Sequence, residues 1–388
     1  LNTRKLSLNN TQKAFLAKDN TELKKVYWMF WLMGHTFLVR LFSRLTLLAL
    51  HIKLPITGLI RKTVFKQFCG GETLDESQVV VSKLNKFHIG SILDYSIEGK
   101  GSCADFERTK NEIIRIIKLA KGNKAIPYTC LKMTGIARYA LLEALNNGKE
   151  VCNEEKQEME ELYGRLNTIC CEAVKNEVPV YIDAEESWIQ GTIDGITEVL
   201  MEKYNTKMAI VQTTLQMYRK DRIDYLHKLI QKATTRNYLI GVKLVRGAYL
   251  ERENQRALDL GIGSPIQTNK AATDQAFDEA VTICLNHIPR VTLCAGTHNE
   301  ASTQYLVNEM KRLGIEKEDP HVYFSQLYGM SDNITYNLAA EGYNVTKYLP
   351  YGPVGSVLPY LIRRANENTA IAGQMSRELE LIVKERKR

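Results

Sequence analysis

The chain has 388 residues, 44% of them hydrophobic and 25% charged, without the Gly or Pro excess of a disordered polymer; it is long enough for one large domain with an appendage. A net charge of +8 suits an anionic cofactor, an anionic membrane surface or nucleic acid. Without an aromatic-interleaved basic motif or zinc-finger spacing, nucleic acid is the weakest of the three, and no nucleic-acid partner is expected.

The N-terminal segment, residues 1–85, reads as a helical arm. Val26 to Val39 carries no formal charge, and Leu45 to Ile52 repeats that character after Arg40 and Arg44. Fourteen such residues fall short of the roughly 18–20 that span a bilayer. The arginines, with Lys53, Arg61, Lys62 and Lys66 beyond, favour two uses. One is an apolar face packed on the main domain, the other a helix lying on a membrane surface, and both can hold together. No secretory signal peptide opens the sequence, and a start at Leu1 fits a processed or trimmed form.

From residue 86 to 375, β-rich runs alternate with helical stretches. Strands are predicted at 88–97, 128–134, 179–185, 208–215, 238–246, 290–298, 322–329 and 344–350, several of them continuously apolar or β-branched, as befits strands buried on both faces. Between them, Ile113, Ile116, Ile117 and Ala120 share a helical face, and the acidic run from Asn153 to Leu166 reads as a solvated helix surface. It lacks the order of a calcium-binding loop. Eight strands with room for a helix after each predict a distorted (β/α)8 TIM-type barrel, and no strand is followed by G-x-G-x-x-G. Residues 376–388 read as a basic tail.

The eight cysteines include no C-x-x-C pair and read as reduced thiols. The seven histidines show no paired spacing, so no metal site is expected, and no G-x-S-x-G supports a serine hydrolase.

Chemistry in such barrels sits at the carboxyl ends of the strands. Read in order, those ends deliver Glu98, Lys132, Asp183 with Glu185 and Glu186, Gln216, Lys243 with Arg246, Thr297-His298-Asn299 and Tyr348. Repeated burial of polar groups is costly, and its convergence on one rim argues for an enzyme. After the eighth strand, Pro350, Gly352, Pro353 and Gly355 predict an irregular loop, with Pro359 in the first turn of a following helix. On that helix Tyr360, Arg363, Arg364 and Glu367 share one face. Paired guanidinium forks there suit a small carboxylic acid. Lys132 alone also fits a Schiff-base, aldolase-type barrel.

The final segment, 348–368, resembles the signature of proline dehydrogenases, in which a loop and a helix carrying Y-x-x-R-R-x-x-E close a flavin site. DYSIEG (94–99), CLKMTG (130–135), IDAEES (182–187), QMYRK (216–220), KLVRGAY (243–249), THNE (297–300) and LYGM (327–330) agree in order. The resemblance covers about 88–370 and is nearer the monofunctional, eukaryote-like branch.

It implies FAD as cofactor, L-proline as substrate, Δ1-pyrroline-5-carboxylate as product and a membrane quinone as electron acceptor. Arg363 and Arg364, with Lys132, would bind the substrate carboxylate. Ala248, Tyr249, Leu327, Tyr348 and Tyr360 would pack around the ring, Asp183 would hold Tyr348, and Glu98 would pair with Arg363 and gate the site. Gln216, Lys243, Arg246, Gly247, Thr268, Lys270, Thr297, His298, Asn299 and Glu367 would contact FAD. The family often has arginine where Lys243 stands, near flavin N5, so here the cation remains without its fork geometry.

A hydroxyproline dehydrogenase is the nearest alternative, and Tyr348, where that branch carries a smaller residue, favours proline. A membrane-surface scaffold with a decayed barrel is a non-enzymatic alternative. The implied compartments are the bacterial cytoplasm or inner-membrane face, or the mitochondrial matrix and inner membrane.

Overall fold

A computed structural model describes residues 6–52, 56–96, 101–370 and 374–388; the side chains at 36, 40, 43, 47–51, 364–370, 374 and 375 are not described. Eight parallel strands form a closed barrel in sequence order: β1 (Gly90–Tyr95), β2 (Tyr128–Lys132), β3 (Val180–Asp183), β4 (Val211–Gln216), β5 (Ile240–Val245), β6 (Val291–Gly296), β7 (Val322–Leu327) and β8 (Val345–Tyr351). All eight fall within or overlap the expected runs. Each is followed by at least one helix, as a parallel connection requires.

The chain divides into two compact units, one of Leu1–Glu98 with Gln326–Arg388, the other of Gly99–Ser325. In the second, β2 to β6 pair with neighbours in strict register, and Lys132 stands beside Asp183 and Lys243 beside Cys294. The helix Cys103–Ala120 buries the expected stripe of Ile113, Ile116, Ile117 and Ala120. The acidic run opens the helix Asn153–Asn176, whose Glu155 and Glu158 pair with Arg138 while Leu162 and Leu166 turn inward.

In the first unit the arm is helical as expected, but the uncharged stretch 26–39 is not one helix. The helix Asn20–Met33 starts on a capping box of Asp19 and Glu22 and stops at Gly34; a second runs from Thr36 to His51. Leu23, Val26, Phe30 and Met33 recur every three or four residues and form one buried face. Phe30 meets Phe68 edge to face at 6.4 Å between centroids, within a cluster that also takes in Met330, Val357, Tyr360, Leu381 and Ile382. Leu381 and Ile382 come from the helix Gln374–Arg386, so the basic terminal segment carries an apolar stripe of its own.

The segment after β8 differs from expectation. β8 runs through Pro350 to Tyr351, and the next helix begins at Val354 (Val354–Ala370), leaving only Gly352 and Pro353 between them. Pro359 therefore lies inside the helix rather than in its first turn. Its nitrogen cannot donate to the carbonyl of residue 355, so one rung of the helix is forfeited. Glu72 explains the early start: its Oε2 accepts from Val354 N at 3.3 Å, placing a carboxylate at the positive end of the helix.

Candidate active site

In the unit Gly99–Ser325, β3 and β5 are alternate strands, which in a barrel contribute to the same interior layer. This brings together Asp183 and Lys243, far apart in sequence: Lys243 Nζ donates to Asp183 Oδ1 and lies 4.9 Å from the Tyr181 ring centroid. Lys243 is not at a strand end, as the sequence suggested, but inside β5, 5% exposed. Burial alone would lower its pKa; the Asp183 carboxylate instead holds it above the usual lysine range. Lys132, in register with Asp183, ends β2 half-buried.

Just beyond, Glu185 accepts from Thr134 N at 3.0 Å and from Thr134 Oγ1 at 2.5 Å, joining the ends of β2 and β3. Burial pushes Glu185 up to about 7, against the Thr134 bonds that favour its charged form. Gln216 has both ends of its amide engaged: Nε2 donates to Glu185 O at 2.7 Å and Oε1 accepts from Ala248 N at 3.3 Å. Between Arg246 and Ala248 the backbone turns at Gly247 with φ +137°, and a Cβ there would lie 2.5 Å from the Tyr218 ring. Tyr249 follows, largely buried.

A second cluster gathers around Arg246. Its guanidinium donates to Asp274 at 2.7 Å, Thr297 Oγ1 at 2.6 Å and Ser302 Oγ at 2.9 Å, and lies 4.6 Å from the Phe277 ring centroid. Lys270 donates to the other Asp274 oxygen at 2.5 Å. Burial would raise Asp274, but Lys270 and Arg246 hold it below the ordinary carboxylate range. Asn299 Oδ1 accepts from Ala301 N at 2.8 Å and caps the helix Glu300–Arg312, while Asn269 caps Lys270–Leu285. Thr268 is exposed beside that cap, and His298 is half-buried between Thr297 and Asn299.

Two long helices thus present their N-terminal ends near a guanidinium and an ammonium, a donor set that fits the pyrophosphate of a dinucleotide such as FAD. Sequence reasoning missed Asp274, Ser302 and Thr134. Only Asp274 left a trace, four residues after Lys270 on one helix.

In the other unit, Tyr348 is 9% exposed on β8, and its carbonyl accepts from Tyr328 N at 2.9 Å. Leu327 ends β7. Tyr360 and Arg363 lie on the helix Val354–Ala370, Tyr360 buried in the arm's apolar cluster and Arg363 half-buried. Glu98 lies outside the described residues, as do the side chains of Arg364 and Glu367.

The model of the family described as proline dehydrogenase matches residues 78–377. The chain belongs to the proline dehydrogenase family. It is 30% identical to the mitochondrial proline dehydrogenase 1 of Dictyostelium discoideum over all of this chain and 76% of that protein. Over 85% of this chain and 78% of the relative, it is 31% identical to the hydroxyproline dehydrogenase of Xenopus laevis. A crystal structure of proline utilization A from Bdellovibrio bacteriovorus, inactivated by N-propargylglycine, superimposes with a TM-score of 0.71 at 23% identity, which speaks for the fold. That alignment covers 84% of this chain and 36% of the other, so this chain spans about a third of its length. Family membership supports proline oxidation as the reaction class and accords with the barrel.

Proposed function

We propose that this chain oxidises L-proline to Δ1-pyrroline-5-carboxylate with bound FAD and passes the electrons to a membrane quinone. The observation that carries the reading is the Arg246 cluster, where a guanidinium, an ammonium and two helix N-termini gather in a chain of this family. When bound, FAD supplies the acceptor for the hydride that leaves the ring carbon next to the proline nitrogen.

The chain's own groups bind and orient. Arg363 and Arg364 supply guanidinium forks for the substrate carboxylate, with Lys132 as a further cation. Ala248, Tyr249, Leu327, Tyr348 and Tyr360 shape the space for the ring and exclude water, and Asp183 orients Tyr348. Glu98 pairs with Arg363 as a gate. Lys243, Gln216, Arg246, Gly247, Thr297, His298, Asn299 and Glu367 hold the cofactor, with Thr268 and Lys270 toward its phosphates. Lys243, kept charged by Asp183, sets a fixed positive charge in a dry interior, where it acts most strongly.

The arm supports peripheral membrane association. No helix among the described residues is long and apolar enough to cross a bilayer. Yet Trp28, Trp31, Phe37, Leu41, Phe42 and Leu45 are exposed on its two main helices, Phe37 by 75%, with Lys24, Lys25 and Arg44 nearby in the sequence. Mitochondrial relatives make the matrix face of the inner membrane the compartment of choice for a eukaryotic source. The likeness to a hydroxyproline dehydrogenase favours a second substrate reading, and the bulk of Tyr348 tips the choice to proline.

The deciding experiment is the visible spectrum of the purified protein, followed by anaerobic proline. A flavin band bleached by proline, and more slowly by trans-4-hydroxyproline, is expected. Faster bleaching by hydroxyproline would reverse the substrate assignment, and failure to bind FAD would overturn the whole reading.

A further inference from the structure

Four residues, Tyr328 to Ser331, join β7 to the helix Asp332–Ala340, and they are held from several elements of their own unit. Tyr328 N donates to Tyr348 O at 2.9 Å. Gly329 takes φ +79°, where a Cβ would lie 2.1 Å from the Gln67 carbonyl, and its own carbonyl accepts from Gln67 Nε2 at 2.8 Å. Met330 O accepts from Lys347 Nζ at 2.5 Å. Ser331 is left-handed, φ 48° and ψ 45°, a conformation disfavoured for a residue with a Cβ. Its N–H donates to Glu378 Oε1 at 2.5 Å.

Glu378 comes from the helix Gln374–Arg386 and is only 5% exposed. An apolar residue would anchor that helix at lower cost, because a buried carboxylate is expensive. Around it stand Asp332, which is ion-paired with both Lys18 and Lys347, and those two lysines. Burial, then the Asp332 charge, pushes Glu378 up to about 7, against the Ser331 N–H and the lysines. Glu378 and Lys18 lie outside residues 78–377, so this cluster draws on the arm and the last helix, beyond the span of the family match.

We propose that Glu378 is a positioning residue for the candidate active site: by accepting from Ser331 N–H it fixes the left-handed turn after β7, and through that turn the placement of Leu327 and Tyr348. The inference rests on the reading above that Leu327 and Tyr348 shape the space for the substrate ring. Lys347, the neighbour of Tyr348 on β8, donates to Met330 O in the same turn and so ties the turn to that strand. Losing the acceptor takes from a buried N–H the carboxylate it donates to and weakens the support of a strained conformation.

The test uses the full chain with FAD bound. Glu378→Asp keeps the charge but is one methylene too short to reach Ser331, and Glu378→Gln keeps an acceptor oxygen at full length. Glu378→Asp is expected to raise KM for proline about tenfold, with kcat within about threefold. Glu378→Gln should stay within about twofold of wild type in KM. A role confined to anchoring the helix would lower thermal stability and leave KM alone, and that result overturns the proposal, as does a Glu378→Gln variant as impaired as Glu378→Asp. Should the wild type not oxidise proline, the functional reading fails. Hydrogen exchange at residues 328–331 then decides the inference separately, since unchanged protection in Glu378→Asp refutes the clamp itself.

Discussion

Asp183 and Lys243 offer the sharpest separation of stability from chemistry. They are 8% and 5% exposed and form a buried ion pair. Asp183→Asn takes from the buried ammonium the carboxylate it donates to, and Lys243→Met takes that ammonium from the buried carboxylate. Removing one partner of a buried pair costs about 3–5 kcal/mol. Removing both, as Asp183→Leu with Lys243→Met, deletes the desolvation penalty along with the attraction, and the double variant should unfold within about 1 kcal/mol of wild type. Urea unfolding followed by far-ultraviolet circular dichroism measures all four proteins. The coupling should then be several kcal/mol. Single-variant costs that add to within about 0.5 kcal/mol would refute a mutually dependent pair. If Lys243 also faces the cofactor, the stable double variant should turn over proline on the order of a hundredfold more slowly.

Arg246→Lys surrenders the fork that reaches Asp274, Thr297 and Ser302 together, and flavin titration should show FAD binding weakened about tenfold or more. Gly247→Ala meets both a φ of +137° and the Tyr218 ring, so a loss of more than about 2 kcal/mol of stability is expected on urea unfolding. Glu185, pushed up to about 7, lies above the ordinary glutamate value of about 4.3, so the folded state binds its proton more tightly than the unfolded one. Its contribution is fully present below the unfolded value and is lost as pH rises through about 7, by roughly 4 kcal/mol in all. Comparing wild type with Glu185→Gln from pH 4 to 8 should reveal that slope, and parallel stability profiles would count against it.

All eight strands and the stripe of isoleucines on Cys103–Ala120 were legible because period and β-branched content are local properties of the chain. The candidate rim residues were chosen for a related reason, that ionisable groups at the ends of apolar runs stand out without coordinates, although Lys243 lies inside β5 and not at its end. The helix after β8 was misjudged because Pro359 usually marks a first turn. Its true start depends on Glu72, 282 residues away in sequence, whose carboxylate accepts from Val354 N.

The sequence by itself determined the alternation of strand and helix, and with it a closed barrel whose helix-linked parallel strands send their carboxyl ends to one rim. It also carried the motifs of the family. Only the tertiary structure decided which charges answer one another. Lys243 faces Asp183 because alternate strands share a layer, Arg246 is steadied by Asp274 from a helix two elements on, and Glu378 reaches Ser331 from the last helix. Such pairings leave no periodic trace. They arise from the closure of the barrel and the docking of terminal helices, where burying a charge is tolerated only if a partner arrives from elsewhere in the chain.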